Sequence, residues 1–132
     1  MTNDKLIRQA ASVVRSRKTE GGLFADVGCA LLSTEGTVYL GVCATSGLSG
    51  FCAEQTAIGS MITDGNYGIA KIVAVWKDED ETVHVISPCR NCRQMMLEMH
   101  EGNLGAEVIL DRDESVTLAE LSTHSDWWKK SL

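Results

Sequence analysis

Two short stretches of this 132-residue chain hold residue types that bind metals and move protons. They read Cys52-Ala53-Glu54 and Pro88-Cys89-Arg90-Asn91-Cys92. Three thiolates suit Zn²⁺, which prefers four tetrahedral ligands, and three protein ligands leave a fourth position for a water molecule, as in catalytic sites. Zinc lowers the pKa of a bound water from ~15.7 to near 7, so a nucleophile becomes available at neutral pH. The spacing predicts a zinc site with Cys52, Cys89 and Cys92 as ligands and Glu54 as the group that carries the proton.

The cysteine count leaves other interpretations open. Five cysteines are an odd number, and a disulfide framework is not expected in a reducing compartment. A CxxC pair alone is also typical of thioredoxin-like redox sites, but such a site would need neither Cys52 nor Glu54. A structural zinc site would need a fourth ligand, which Cys29 or Cys43 could supply, although Cys29 is expected inside a strand and in the core. Buried thiols with an incidental CxxC are the remaining interpretation.

Each motif is predicted to begin a helix, because apolar residues at helical spacing cover residues 52–63 and 89–100. The N-terminus of a helix carries a partial positive charge, which lowers the pKa of a nearby thiol and favours the thiolate that binds metal. Glu54 would then lie in the first turn, where it can face the metal without binding it. Both helices must therefore begin close together in space.

The remaining elements alternate between strand and helix. Asn3 or Asp4 is expected to cap a first helix that ends near Arg17, and the Gly- and Ser-rich residues 44–50 are expected to form a loop. Strands are predicted over residues 27–33, 37–42, 69–76, 83–86 and 108–110. This alternation predicts one α/β domain over residues 1–132, with a single sheet flanked by helices.

The two motifs together resemble the signature of the zinc-dependent cytidine deaminase family. That signature is H-x-E followed by P-C-x-x-C, with cysteine accepted in place of the histidine. Val27-Gly28-Cys29-Ala30-Leu31 is similar to the first strand of the family. Residues 87–97, which read SPCRNCRQMML, are similar to the blasticidin S deaminase branch. The resemblance covers roughly residues 25–128, which is most of the chain.

This resemblance implies a fold and a reaction. The fold would be a three-layer α/β/α cytidine deaminase-like sandwich with a mixed sheet of about five strands. The protein would be a homo-oligomer, typically a tetramer in which neighbouring chains complete each active site. The reaction would be hydrolytic deamination of a free cytosine-type nucleoside or a nucleoside antibiotic similar to cytidine or blasticidin S. Zinc-bound hydroxide would attack the amine-bearing carbon, Glu54 would shuttle the proton, and a backbone carbonyl near Ser87 would accept a hydrogen bond from the leaving amine.

The resemblance also suggests substrate-binding positions, some of which depart from the family. The candidates are Phe24, Cys43, Ala53, Ser87 and Trp128. Cytidine deaminases hold the ribose with an Asn-x-Glu motif, and the asparagine position is Cys43 here. The family arginine that offsets the thiolate charge is replaced by Gln55, for which Arg90 or Arg93 could compensate. The zinc chemistry is therefore predicted more specifically than the substrate.

The composition excludes several classes of protein. Twelve basic and eighteen acidic residues give a net charge of -6, so a basic face for DNA or RNA is not expected. No apolar run approaches the ~18 residues of a membrane span, and residues 1–5 do not resemble a signal peptide. A cytoplasmic protein with a small-molecule substrate is expected. Two alternatives stay open: a deaminase of a different small amino-heterocycle, and a non-catalytic zinc-binding member of the same fold.

Overall fold

The computed structural model describes residues 1–123. Helix α1 (Asn3–Ser12) begins after Thr2, whose hydroxyl oxygen accepts a hydrogen bond from the backbone N–H of Lys5 at 3.2 Å. The cap is thus Thr2, so the prediction of Asn3 or Asp4 is wrong, and so is the prediction that the helix runs to Arg17, since it ends at Ser12. Two β-branched valines follow Ser12, which disfavours further helix. The N–H of Arg15 then donates to the carbonyl of Ala25 at 3.0 Å, which draws the chain back towards the sheet.

A mixed sheet of eight strands forms the centre of the described residues. Its strands are β1 (Arg17–Thr19), β2 (Gly22–Ser33), β3 (Val38–Ser46), β4 (Gly50–Phe51), β5 (Ile69–Lys77), β6 (Val83–Ile86), β7 (Glu107–Asp111) and β8 (Glu114–Thr117). The order is β4-β3-β2-β5-β7-β8, with β1 paired to β2 and β6 paired to β5. Among the strand pairs of residues 1–123, β5–β7 alone is parallel.

The sheet has more than the predicted five strands because three short strands were not predicted from the sequence. Strands β1, β4 and β8 have three, two and four residues, too few to show an alternation of apolar and polar side chains. Strand β3 also continues to Ser46 and pairs with β4, so most of the predicted loop over residues 44–50 is a hairpin. Small residues do not exclude a strand when a neighbouring strand supplies the hydrogen bonds.

Helices cover both faces of the sheet, which confirms the three-layer α/β/α architecture. The other helices are α2 (Ala53–Thr63), α3 (Arg90–Met99), a 3₁₀ helix (Glu101–Gly105) and α4 (Leu118–Thr123). Alternate residues of β2 point to opposite faces, as expected for a strand. Cys29 and Leu31 belong to the core cluster that contains α2, whereas Ala30 belongs to the one that contains α1.

Helix α2 packs directly on β3 at Gly41. A Cβ added at Gly41 would lie 2.5 Å from the backbone nitrogen of Ala57 and 2.6 Å from the carbonyl oxygen of Ala53. The Thr56 hydroxyl also donates to the carbonyl of Val42 at 2.9 Å. These contacts fix the first turn of α2 against the sheet, and Cys52 immediately precedes that turn.

Helix α3 is positioned at both ends. Strand β6 pairs with β5 up to Ile86, so the chain leaves the sheet only three residues before Cys89. At the other end the buried amide of Asn103 donates to the carbonyl of Met96 at 2.9 Å and accepts from the N–H of Ile69 at 2.8 Å. Among residues 1–123 no helix combines the length and the apolar character that crossing a bilayer requires.

Candidate metal and catalytic site

Three cysteine sulfurs converge where α2 and α3 begin. Cys52 and Cys89 are the residues that precede α2 and α3, and Cys92 lies in the first turn of α3. The Sγ atoms of Cys52 and Cys89 are 3.8 Å apart, those of Cys89 and Cys92 are 3.4 Å apart, and all three lie within 4.8 Å of one another. Zn–S bonds of about 2.3 Å in a tetrahedron place sulfurs about 3.8 Å apart. The spacing of the thiols therefore fits a zinc ion.

The group has three members within residues 1–123, and no histidine, carboxylate or further cysteine of that range joins it. Cys29 is fully buried in β2. The Cys43 thiol donates to the Asp26 carboxylate at 2.9 Å. Neither cysteine thus acts as the fourth ligand that a closed structural zinc site would need.

Burial and neighbouring negative charges raise the pKa of two of the three thiols. Burial, followed by the negative charge of Cys89, raises the pKa of Cys52 to about 11. Burial, followed by the charge of Glu54, raises the pKa of Cys92. For Cys52 and Cys92, desolvation and neighbouring negative charges thus oppose the lowering of the pKa that is expected from a helix N-terminus. A divalent cation would reverse both effects, so the donor set suits a metal.

Glu54 is the second residue of α2 and lies beside the sulfur group. It is only 5% exposed, which is rare for a glutamate. Burial raises its pKa. A carboxyl group with a raised pKa binds and releases a proton nearer to neutral pH, which is the property of a general acid–base.

The residue at the position of the family arginine, Gln55, has a different role in this chain. The Gln55 side-chain oxygen accepts a hydrogen bond from the backbone N–H of Cys52 at 3.0 Å, so it closes the first turn of α2. Arg93 is buried, and its guanidinium donates to the carbonyl of Leu121 at 3.3 Å. Burial lowers the pKa of Arg93, whereas the negative charge of Cys89 opposes that change. Of the two arginines considered from the sequence, Arg93 is the buried one.

The predicted substrate-binding residues occupy different parts of the fold. Ala53 is buried at the start of α2, and Ser87 is exposed between β6 and Cys89. Phe24 is half-buried and pairs with Ala44 across β2 and β3. Cys43 is half-buried beside the core of α2. Trp128 lies outside the described residues.

Asp26, which accepts the hydrogen bond from Cys43, is absent from the sequence-based candidates. It lies in an irregular stretch of β2 between Phe24 and Gly28, and it lines a cavity of about 960 Å³. A signal was present in the sequence: the family resemblance places an aromatic residue directly before Asp26 and the Val27-Gly28 pair, but that position is Ala25, and Phe24 stands one place away, which indicates an irregular strand.

A family model described as the cytidine and deoxycytidylate deaminase zinc-binding region matches residues 1–106. The blasticidin-S deaminase of Bacillus cereus is 43% identical over 49 residues, which are 34% of this chain and 35% of that protein. The chain thus spans about a third of that relative. A cytidine deaminase of Halalkalibacterium halodurans is 31% identical over 106 residues, 73% of each chain.

Solved structures show the same fold. The crystal structure of a cytidine deaminase from Burkholderia pseudomallei superposes with a TM-score of 0.67 at 28% identity, and the match covers 92% of this chain and 96% of that one. The matched family region is a zinc-binding one, and it contains the three converging cysteines, which confirms zinc as the expected cofactor. Sequence match, sheet topology and cysteine geometry agree, and the chain belongs to the cytidine and deoxycytidylate deaminase family.

Proposed function

We propose that this chain is a zinc-dependent aminohydrolase that deaminates a free cytosine-type nucleoside or nucleoside antibiotic. One observation carries the proposal: three thiols at zinc spacing lie beside the buried carboxyl group of Glu54, and residues 1–123 supply no fourth ligand. A site with three protein ligands leaves room for water, whereas a structural site does not.

The chain's own residues would divide the work. Cys52, Cys89 and Cys92 would hold the zinc ion, which when bound makes a coordinated water acidic enough to ionise near pH 7. Glu54 would accept one proton from the water and pass it to the ring nitrogen. It would then take the second proton from the new hydroxyl group on the carbon and give it to the leaving amine. One water oxygen replaces the amino group, and the amine leaves as ammonia. The raised pKa of Glu54 suits both transfers, since the carboxyl group must hold the proton between them.

The substrate class and the surroundings of the site belong to the same proposal. The net charge of -6 favours a small molecule over a nucleic acid. The proposed substrate-binding residues remain Phe24, Cys43, Ala53, Ser87 and Trp128. A homotetramer in the cytoplasm is also proposed. The complete exposure of Leu48 and the half exposure of Phe51, which lie close before Cys52, support a neighbouring chain at this edge of the site.

The test is the effect of Glu54→Gln on ammonia release. The zinc-loaded protein is assayed with cytidine, deoxycytidine, blasticidin S and a panel of other amino-heterocycles. Loss of the proton carrier should lower kcat by roughly 10²- to 10⁴-fold. Bound zinc, measured by mass spectrometry, should stay unchanged, because Glu54 is not in the sulfur group. Glu98→Gln is the matched control, since Glu98 is an exposed carboxylate on α3.

The outcomes separate the alternatives. If the protein deaminates only heterocycles other than cytosine, the proposed substrate class is wrong and the proposed mechanism stands. Cys43 at the position of the ribose-binding asparagine favours this alternative. Absence of ammonia from every amine by zinc-loaded protein would contradict the enzyme proposal and favour a binding role for the zinc fold.

A further inference from the structure

Strand β2 contains a bulge opposite Cys43. Phe24 pairs with Ala44, and the next paired residues are Gly28 and Val42. Three residues of β2 therefore face one residue of β3. Ala25, the first of the three, has a φ of 61°, a left-handed conformation that is strained for a residue with a Cβ. Bulges of this kind redirect a side chain and are frequent beside active sites.

The residue that the bulge redirects is Asp26. Its carboxylate accepts a hydrogen bond from the Cys43 thiol at 2.9 Å. Cys43 itself packs against the core cluster that contains Ala53 and Ala57 of α2, so the pair lies on the face of the sheet that carries α2. A thiol is a weak donor. Asp26 keeps acceptor capacity for a stronger donor from a ligand.

The strand register relates the Asp26–Cys43 pair to the residue that precedes α2. Strand β3 pairs with β4 at Ala44 and Phe51. The same register carried one residue further brings Cys43 opposite Cys52. On its other side Asp26 lines the cavity of about 960 Å³, together with Thr45 and Trp76. The carboxylate thus borders an open space large enough for part of a ligand, and its partner Cys43 lies on the strand that leads through a hairpin to Cys52.

We propose that Asp26 is a substrate-binding residue that selects a cytosine-type ring whose non-reacting substituent carries a hydrogen-bond donor, a hydroxyl or an ammonium group. The inference rests on the proposed deaminase function. In this proposal the amine-bearing carbon lies at the zinc site, and the substituent on the opposite side of the ring lies near Asp26 and the cavity that it lines. The Cys43 thiol holds the carboxylate in place through its hydrogen bond.

Three probes with the same ring test the proposal: 1-methylcytosine offers no donor on its substituent, cytidine offers hydroxyls, and 5′-amino-5′-deoxycytidine offers an ammonium group. The measured quantity is kcat/KM for each donor-bearing probe relative to 1-methylcytosine. In Asp26→Asn this ratio should fall by roughly 10- to 100-fold, the effect of a hydrogen bond to a charged group, and mainly through KM. If the ratio falls further for the amino probe than for cytidine, the ammonium group is the preferred donor. If the ratio falls equally for both probes, the hydroxyl group is the donor that Asp26 recognises.

Further variants protect the test against loss of folding. Cys43→Ala should lower the same ratio by a smaller factor, and Cys43→Ser, which restores a donor to Asp26, should recover it. Asp113→Asn makes the same chemical change in the exposed β7–β8 turn and should leave the ratio unchanged. An unchanged ratio in folded, zinc-loaded Asp26→Asn would overturn this inference alone. Failure of the parent protein to deaminate any of the three probes would overturn the proposed function and this inference with it.

Discussion

At the residue scale, the position of each cysteine in an element decides what its sulfur can do. Cys52, Cys89 and Cys92 lie where helices begin, and their sulfurs meet. Cys29 points from the middle of β2 into the core. The sequence predicts the first three because each motif is local, with ligand spacings of two or three residues along one chain segment. The contact between Cys43 and Asp26 could not be predicted, because it depends on a bulge that involves two strands.

Two serine substitutions separate these roles. Cys92→Ser should weaken zinc binding more than about a hundredfold, because a hydroxyl group is a much poorer zinc ligand than a thiolate. Loss of a residue that only hydrogen-bonds to a metal ligand already lowers metal affinity by about 10- to 100-fold. Cys29→Ser should keep one zinc per chain and lower the free energy of unfolding by about 1–3 kcal/mol, because it buries a hydroxyl group in an apolar site. Competition with a chromophoric chelator and denaturant unfolding measure the two effects. Equal zinc loss in both variants would contradict the assignment of Cys92 as a ligand.

At the element scale, close packing of α2 on β3 sets the geometry of the site. Gly41 permits the contact, since any Cβ there would collide with the backbone of α2. The sequence predicted both helices of the site to within one residue of their starts, and it predicted β6 as Val83–Ile86. It did not predict the Gly41 contact or the Asn103 bridge to Met96 and Ile69, because neither leaves a periodic pattern.

Two alanine substitutions test that packing. Gly41→Ala should destabilise the protein by about 1–3 kcal/mol, the usual cost of an overpacked contact, and should weaken zinc binding because the first turn of α2 must move. Gly59→Ala lies on the exposed side of the same helix, where an added Cβ meets nothing within 4 Å. It should stabilise the protein by about 0.5–1 kcal/mol and leave zinc binding unchanged. Thermal unfolding and zinc competition of both variants are compared, and unchanged zinc affinity in Gly41→Ala would contradict the proposed packing role.

At the scale of the whole molecule, zinc would connect two parts of the chain that are distant in sequence. Cys52 precedes a helix that packs on β3, and Cys89 follows a strand that pairs with β5, so the ion would join two regions of one sheet. The alternation of helices and strands made the three layers predictable. The edge strands β1, β4 and β8 were not predictable, since so few residues give no pattern.

Removal of the metal should therefore destabilise the whole domain. A ligand that binds only the folded state adds roughly 2.7 kcal/mol when its free concentration is a hundred times its dissociation constant. Chelation should lower the midpoint of thermal unfolding, and added zinc should restore it. The double variant Cys52→Ser/Cys89→Ser supplies the control, because its midpoint should not respond to chelator. A parent protein with the same midpoint before and after chelation would contradict the predicted coupling of zinc to stability.

The central claim is that zinc binds to three thiolates and keeps one position open to water. X-ray absorption spectroscopy at the zinc edge measures it most directly on the purified protein. The predicted spectrum has three sulfur neighbours at about 2.3 Å and one oxygen or nitrogen neighbour at about 2.0–2.2 Å. In Cys92→Ser one sulfur neighbour should be lost. A parent spectrum with four sulfur neighbours, or with fewer than three, would contradict the account.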